Sequence, residues 1–163
     1  MAKIMLLATS GINGVPYEVS SWLTQYASQG HEFITGDGKT TDGHFHKELA
    51  KLGLTDKSTI YCMDKPKSNV YELKVRSFGT SYSESDKQVG IFDNNTQEQM
   101  LIIDGVDKEM DIPYNREWYE FRDRQMVRDC DMAIILLGTD SKAVNTVIRM
   151  MNILGKPCYT FQL

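Results

Sequence analysis

Met132-Ala133-Ile134-Ile135-Leu136-Leu137 is an unbroken apolar run with Asp131 before it and Gly138 after it. A run this short without polar alternation fits a strand covered on both faces, the kind a parallel sheet buries between two helical layers. The flanks agree. Residues 118–130 place Trp118, Phe121 and Met126 at helical spacing. Residues 142–154 put Val144, Val147, Ile148 and Met151 on one face, and Gly155-Lys156-Pro157 stops that helix. Residues 158–161 then read as a last strand.

The N-terminal half repeats the rhythm. Residues 3–8 form a second continuous apolar run, and residues 9–16 must turn because Ser10, Gly11, Asn13, Gly14 and Pro16 fall there. A helix is expected over 16–29, with Val19, Trp22, Leu23 and Tyr26 recurring every three or four residues and Gly30 just past its end. A strand at 31–35, a polar turn at 36–43, a helix carrying Phe45, Leu49 and Leu52, and a strand at 58–62 follow. Strand-helix alternation predicts an α/β chain, a Rossmann-like mostly parallel sheet with helices on both faces. Residues 1–163 are read as one such domain. The stretch 65–116 breaks the pattern, being far longer than the usual connection of about 4–6 residues. Strand-like pieces at 70–75, 89–92 and 100–103 make it a β-rich insertion, either a hairpin packed on the sheet edge or a lid or oligomer contact.

Composition narrows the function. The chain has 163 residues, 22 acids against 18 bases and a net charge of −4, which argues against a general electrostatic grip on nucleic acid or anionic membrane. No apolar run approaches the roughly 20 residues of a membrane span, and Met1-Ala2-Lys3 leads into the first strand without the layout of a signal peptide. Cys62, Cys130 and Cys158 are widely spaced with no CxxC, so reduced thiols and a cytoplasmic location are expected. Asn94-Asn95-Thr96 matches a glycosylation pattern, which without a secretion signal is read as chance.

In an open parallel sheet, ligands bind beyond the carboxyl ends of the strands. Three loops there are rich in small and polar residues: one with Ser10, Gly11 and Asn13, one with Gly36, Asp37, Gly38, Lys39, Thr40 and Asp42, and one with Gly138, Thr139 and Ser141. Each offers backbone N–H groups at a positive helix end, a basis for holding phosphate; Asp42 and Ser141 also read as plain N-caps. Gly38-Lys39-Thr40 resembles the end of a P-loop, but Phe33 stands where its first glycine belongs, and GxGxxG is absent after the first strand. Arg122 and Arg124 sit two apart on a helix, so one is expected to reach a phosphate while the other pairs with Asp123 or Glu120. His44 and His46 do not share a helix face, and surface or cap roles are expected for them. Cys62 ends a strand near the binding edge without a base beside it in sequence, Cys158 reads as core, and Trp118, Tyr119 and Phe121 read as helix packing before base stacking.

These features resemble the SLOG superfamily of small Rossmann-like proteins, particularly its stand-alone YspA-like members. The resemblance rests on Gly36-Asp37-Gly38-Lys39-Thr40-Thr41-Asp42 after the second strand, on Arg122-Asp123-Arg124-Gln125-Met126 followed by Asp131 and the buried strand, and on Ser141 with the Gly155-Lys156-Pro157 return. It covers about two-thirds of the chain; the insertion lies outside it. The resemblance implies a pocket for a nucleotide-derived small molecule, a nucleoside phosphate or an ADP-ribose-like signal, in a homo-oligomer, and it implies no cofactor. Nucleoside deoxyribosyltransferases and cytokinin-type phosphoribohydrolases share the layout and cleave N-glycosidic bonds with a glutamate near the last ligand-binding helix. Here residues 144–148 contain no glutamate, and Ala143-Val144 replace the usual Gly-Thr; Asp37, Asp42 or Asp140 would have to substitute. The sequence therefore predicts ligand capture, by a sensor or sequestering protein, ahead of N-glycosidic hydrolysis or transfer. Single-stranded DNA binding comes third, since no aromatic-basic groove is legible.

Overall fold

The computed structural model describes residues 1–106 and 116–163, with side chains from residue 119 onward in the second segment. In chain order the elements are β1 (Lys3–Ala8), α1 (Tyr17–Ser28), β2 (Glu32–Thr35), α2 (Gly43–Lys51), β3 (Ser58–Met63), β4 (Lys74–Ser83), β5 (Gln88–Asp93), β6 (Gln99–Asp104), α3 (Arg116–Asp129), β7 (Met132–Leu137), α4 (Lys142–Ile153) and β8 (Cys158–Gln162). The eight strands form one sheet in the order β6-β5-β4-β3-β2-β1-β7-β8. From β4 to β8 every pair is parallel, while β4-β5 and β5-β6 are antiparallel. This is the Rossmann-like α/β architecture expected from the alternation.

The central strands explain why their sequences carry no polar alternation. In β1, Met5 and Leu7 face one core while Ile4, Leu6 and Ala8 face the other; in β7, Ala133 and Ile135 oppose Ile134 and Leu136 in the same way. Phe121, Met126 and Val127 of α3 and Val144, Val147 and Met151 of α4 close the first core. Val19, Leu23 and Ala27 of α1 and Phe45 and Leu49 of α2 close the second. Each fully buried side chain of this size contributes about 1.5–3 kcal/mol of transfer free energy, so a polar residue in either set would be costly. Lys156, in the turn that stops α4, donates from Nζ to the carbonyls of Val127 (2.7 Å), Arg128 (3.0 Å) and Cys130 (2.7 Å). It caps the carbonyl end of α3 with a positive charge, where the helix dipole favours one.

One strand differs from its expected position. The sequence places it at 70–75, whereas β4 begins at Lys74 and runs to Ser83. The reason is a side-chain-closed turn: Asn69 Oδ1 accepts from Leu73 N and Asn69 Nδ2 donates to Leu73 O, each at 2.9 Å. β4 is hard to read because Arg76 stands on its inward face, stacked at 5.6 Å over the Tyr61 and Phe78 rings and paired with Asp93 (3.0 Å) and Asp129 (3.1 Å). From β4 the chain continues as β5 and β6, so residues 74–104 extend the sheet by three strands on the side of β3. Among the described residues no helix is long and apolar enough to cross a membrane.

Candidate functional site

The strand order runs outward from β1 in both directions, with β2 on one side and β7 on the other. The loops leaving β1 and β7 therefore separate at this point, which is where open α/β sheets hold ligands. A cavity of about 300 Å³ lies there, lined by Thr9 and Ser10 after β1, Thr41 and Asp42 before α2, Arg122 and Asp123 on α3, and Asp140 and Ser141 at the start of α4. Its size is at the small end of the ligand-pocket range of about 300–1,000 Å³.

The walls are braced by their own hydrogen bonds. Thr139 N donates to Ser10 O at 2.8 Å, the Ser10 and Thr139 hydroxyls meet at 2.6 Å, and Gly138 N donates to Thr9 Oγ1 at 2.7 Å. Gly138 is required by this closeness, because a β-carbon there would run into Ser10 O. Gly11, at φ +86°, packs against Thr139 from the other side. Ser141 caps α4, its Oγ accepting from Val144 N at 3.2 Å. The glycines and Thr139 thus shape the β1 and β7 loops, and Thr9, Ser10 and Ser141 are the hydroxyl residues of these loops that also line the cavity.

Asp42 stands at the N-cap position of α2 but forms no capping bond. Its carboxylate turns inward and accepts from Gly38 N (3.1 Å) and Ala8 N (3.4 Å). Gly36 is needed beneath it, since a β-carbon there would sit 2.6 Å from Asp42 Oδ2 and 3.4 Å from the Arg122 guanidinium carbon. Burial pushes the Asp42 carboxyl up to about 6, against the pull of Arg122 and the two N–H donors. Burial likewise raises Asp123, opposed by its bonds to Arg122.

Arg122 lines the cavity and is held by acids. Its Nη1 donates to Asp37 at 2.6 Å, while Nη2 and Nε donate to Asp123 at 2.8 and 3.1 Å. Burial works against its charge, but Asp123, Asp42 and Asp37 outweigh that and raise its pKa. The guanidinium, 5.3 Å from the Tyr119 ring centre, is the counter-ion of three carboxylates. Arg124 lies apart, its side chain 61% exposed and 3.9 Å from Glu120, beside a groove with Val127 and Leu154.

The remaining candidates distribute around the same sheet edge. Asp37 bonds Arg122 and also accepts from Lys67 N at 3.0 Å, bordering a hollow with Lys65 and Tyr119. Asn13, Lys39 and Thr40 line a separate cleft over α2. Gly38 serves through its N–H to Asp42. The side chain of Trp118 lies outside the described residues. Sequence reasoning missed Thr9, Thr41 and Asp123 as lining residues; Asp123 is one acid in a charged helix, and only the fold turns it inward.

His46 corrects another expectation. It is buried, not a surface or capping residue. Its Nε2 lies 3.0 Å from Gly36 O and 2.6 Å from Thr35 Oγ1, and the Thr35 hydroxyl itself donates to Gly36 O at 2.8 Å. Nε2 must therefore carry the proton, and burial lowers the pKa of the ring. A folded-state pKa below the unfolded value means that the unfolded chain binds more protons as pH falls. The His46 contribution to stability is fully present above about pH 6.5 and declines as pH drops through that value. Urea midpoints measured from pH 7.5 to 5.5 should fall more steeply for the native chain than for His46→Gln; parallel curves would remove this role.

Cys62 and Cys130 are buried, and burial raises their thiols to about 12 and about 11 respectively. Both settings disfavour the thiolate. Cys158 is half-buried against the core closed by α3 and α4.

Neither a scan of protein-family models nor a search of curated proteins found a match to this chain. What the fold and cavity define is a class, a doubly wound α/β domain with a carboxylate-lined pocket at its switch point.

Proposed function

We propose that the switch-point pocket binds a nucleotide-derived small molecule through its sugar, as a sensor or sequestering protein would. The observation that carries this reading is the lining itself: Asp42, Asp123 and Asp140 with four hydroxyl residues around one cavity at the carboxyl edge of the sheet. Carboxylates at this edge accept from ribose hydroxyls in dinucleotide-binding folds. An acid-rich lining whose arginine is already paired favours hydroxyl donors over a phosphate. The SLOG-like motifs at Gly36–Asp42 and Ser141 support the same class of ligand.

A second reading, cleavage or transfer at an N-glycosidic bond, is favoured by Asp42. A buried carboxyl with its pKa pushed up to about 6 is closer to neutrality than a free aspartate and can pass a proton to a departing base at mildly acidic pH, and a second carboxylate nearby fits the acid-base division of such reactions. Incubating the protein with nucleosides, nucleoside phosphates and ADP-ribose derivatives, followed by mass spectrometry of what is retained and released, separates the two. Intact retained ligand supports capture, and a freed base supports cleavage. If no compound is retained or altered, both readings fail.

A further inference from the structure

A cleft of about 690 Å³ lies over α2, more than twice the size of the 300 Å³ switch-point cavity. Three separate segments build it: the β1–α1 loop, the β2–α2 loop with the outer face of α2, and the β3–β4 connection. Lys39, Lys47 and Lys51 converge on it, together with His44. None of the three lysines forms an ion pair among the described residues. The single acid in the lining, Glu48, is held by the Ser20 hydroxyl at 2.6 Å. Tyr71, 37% exposed, forms part of the opposite wall.

In a chain of net charge −4, this is a local excess of positive charge, three lysines against one acid. Lys47 and Lys51 are four apart on one helix, where like charges repel and weaken the helix. A bound oligoanion would relieve that repulsion. Lysine ammonium groups on flexible stems act as point charges suited to phosphate rather than to a shaped carboxylate fork. The β2–α2 loop contributes to both cavities, Thr41 and Asp42 to the acidic one and Lys39 and Thr40 to the basic one. The two carry opposite charge and select different groups.

We propose that the lysine cleft is a second binding site, for an oligophosphate-bearing small molecule, independent of the sugar pocket. The probe is inorganic tripolyphosphate, titrated calorimetrically into the native chain, into Lys47→Gln/Lys51→Gln and into Asp42→Asn. The native chain should bind it saturably, with affinity that falls as salt is raised. The double lysine variant should lose at least about tenfold in affinity, roughly what two lost charge-assisted contacts cost, while Asp42→Asn should bind as the native chain does. Thermal melting of each variant shows that it is folded. Absence of saturable binding to the native chain overturns the site, as does equal binding by the double lysine variant. Tighter binding by Asp42→Asn with an unchanged double lysine variant also overturns it and moves the anion to the switch-point cavity, where losing a carboxylate favours an anion. Failure of the sugar-pocket reading shows separately, as nucleosides that are neither retained nor altered while tripolyphosphate still binds.

Discussion

Arg122→Met should lower stability by about 3–5 kcal/mol, the usual cost of leaving buried charge without its partner. The side chain is only 12% exposed, and its guanidinium is shared by Asp37 and Asp123 with Asp42 in its field. Removing it leaves three carboxylates at one end of the sheet without the guanidinium they share. In a chain of this length each kcal/mol is worth roughly 2–4 °C in melting temperature, so the variant should melt about 6–20 °C below the native protein. Arg124→Ala, on the same helix but exposed, is the control and should change stability by less than about 0.5 kcal/mol. Adding Asp123→Asn to Arg122→Met should recover part of the loss, because one uncompensated charge is gone. A drop no larger than that of Arg124→Ala would mean that Arg122 is not the counter-ion of this cluster.

Asp42→Asn should do the opposite, stabilising the fold while weakening the proposed ligand. Raising a carboxyl from 3.8 to about 6 costs about 3 kcal/mol at neutral pH. An asparagine keeps one of the two N–H bonds, and the lost one subtracts about 1–1.5 kcal/mol. The expected net gain is about 1–2 kcal/mol at pH 8. The sign follows from linkage: the folded state binds the Asp42 proton more tightly, so its penalty is complete above about pH 6 and vanishes below about pH 4. Melting curves of native and variant proteins should therefore diverge above pH 6 and converge by pH 4. Retention of ligand by the panel described above should drop in the same variant. A residue that costs stability where it stands is usually kept for what it touches.

Part of this molecule is legible in its sequence and part is not. β1 and β7 could be read directly, because burial on both faces leaves no room for a polar residue and the run of apolar side chains is its own signature. β4 could not, because Arg76 occupies an inward position and is neutralised by Asp93 and Asp129, partners far away in the sequence. The β2–α2 loop was recognised as special from its glycines, and Gly36 is indeed fixed by the close approach of Asp42 and Arg122. Its acid, however, looked like a helix cap, and only the fold turns it toward Ala8. Arg122 lines the cavity, and its partner Asp37 lies far away in the sequence. His46 and the lysine cleft were beyond reach, since the first depends on a carbonyl ten residues earlier and the second on segments from three connections.

The brace between Ser10, Gly138 and Thr139 has a kinetic meaning. Loops already tied to each other need no ordering when a ligand arrives, so little conformational entropy is lost on association. Under the proposed capture role, encounter would then lead directly to the bound state, without a slow closing step. Ligands that fit this pocket to different degrees should enter at similar speeds and differ in how long they stay. For a protein that senses or withholds a small molecule, residence time rather than capture speed would set how far the free pool is depleted.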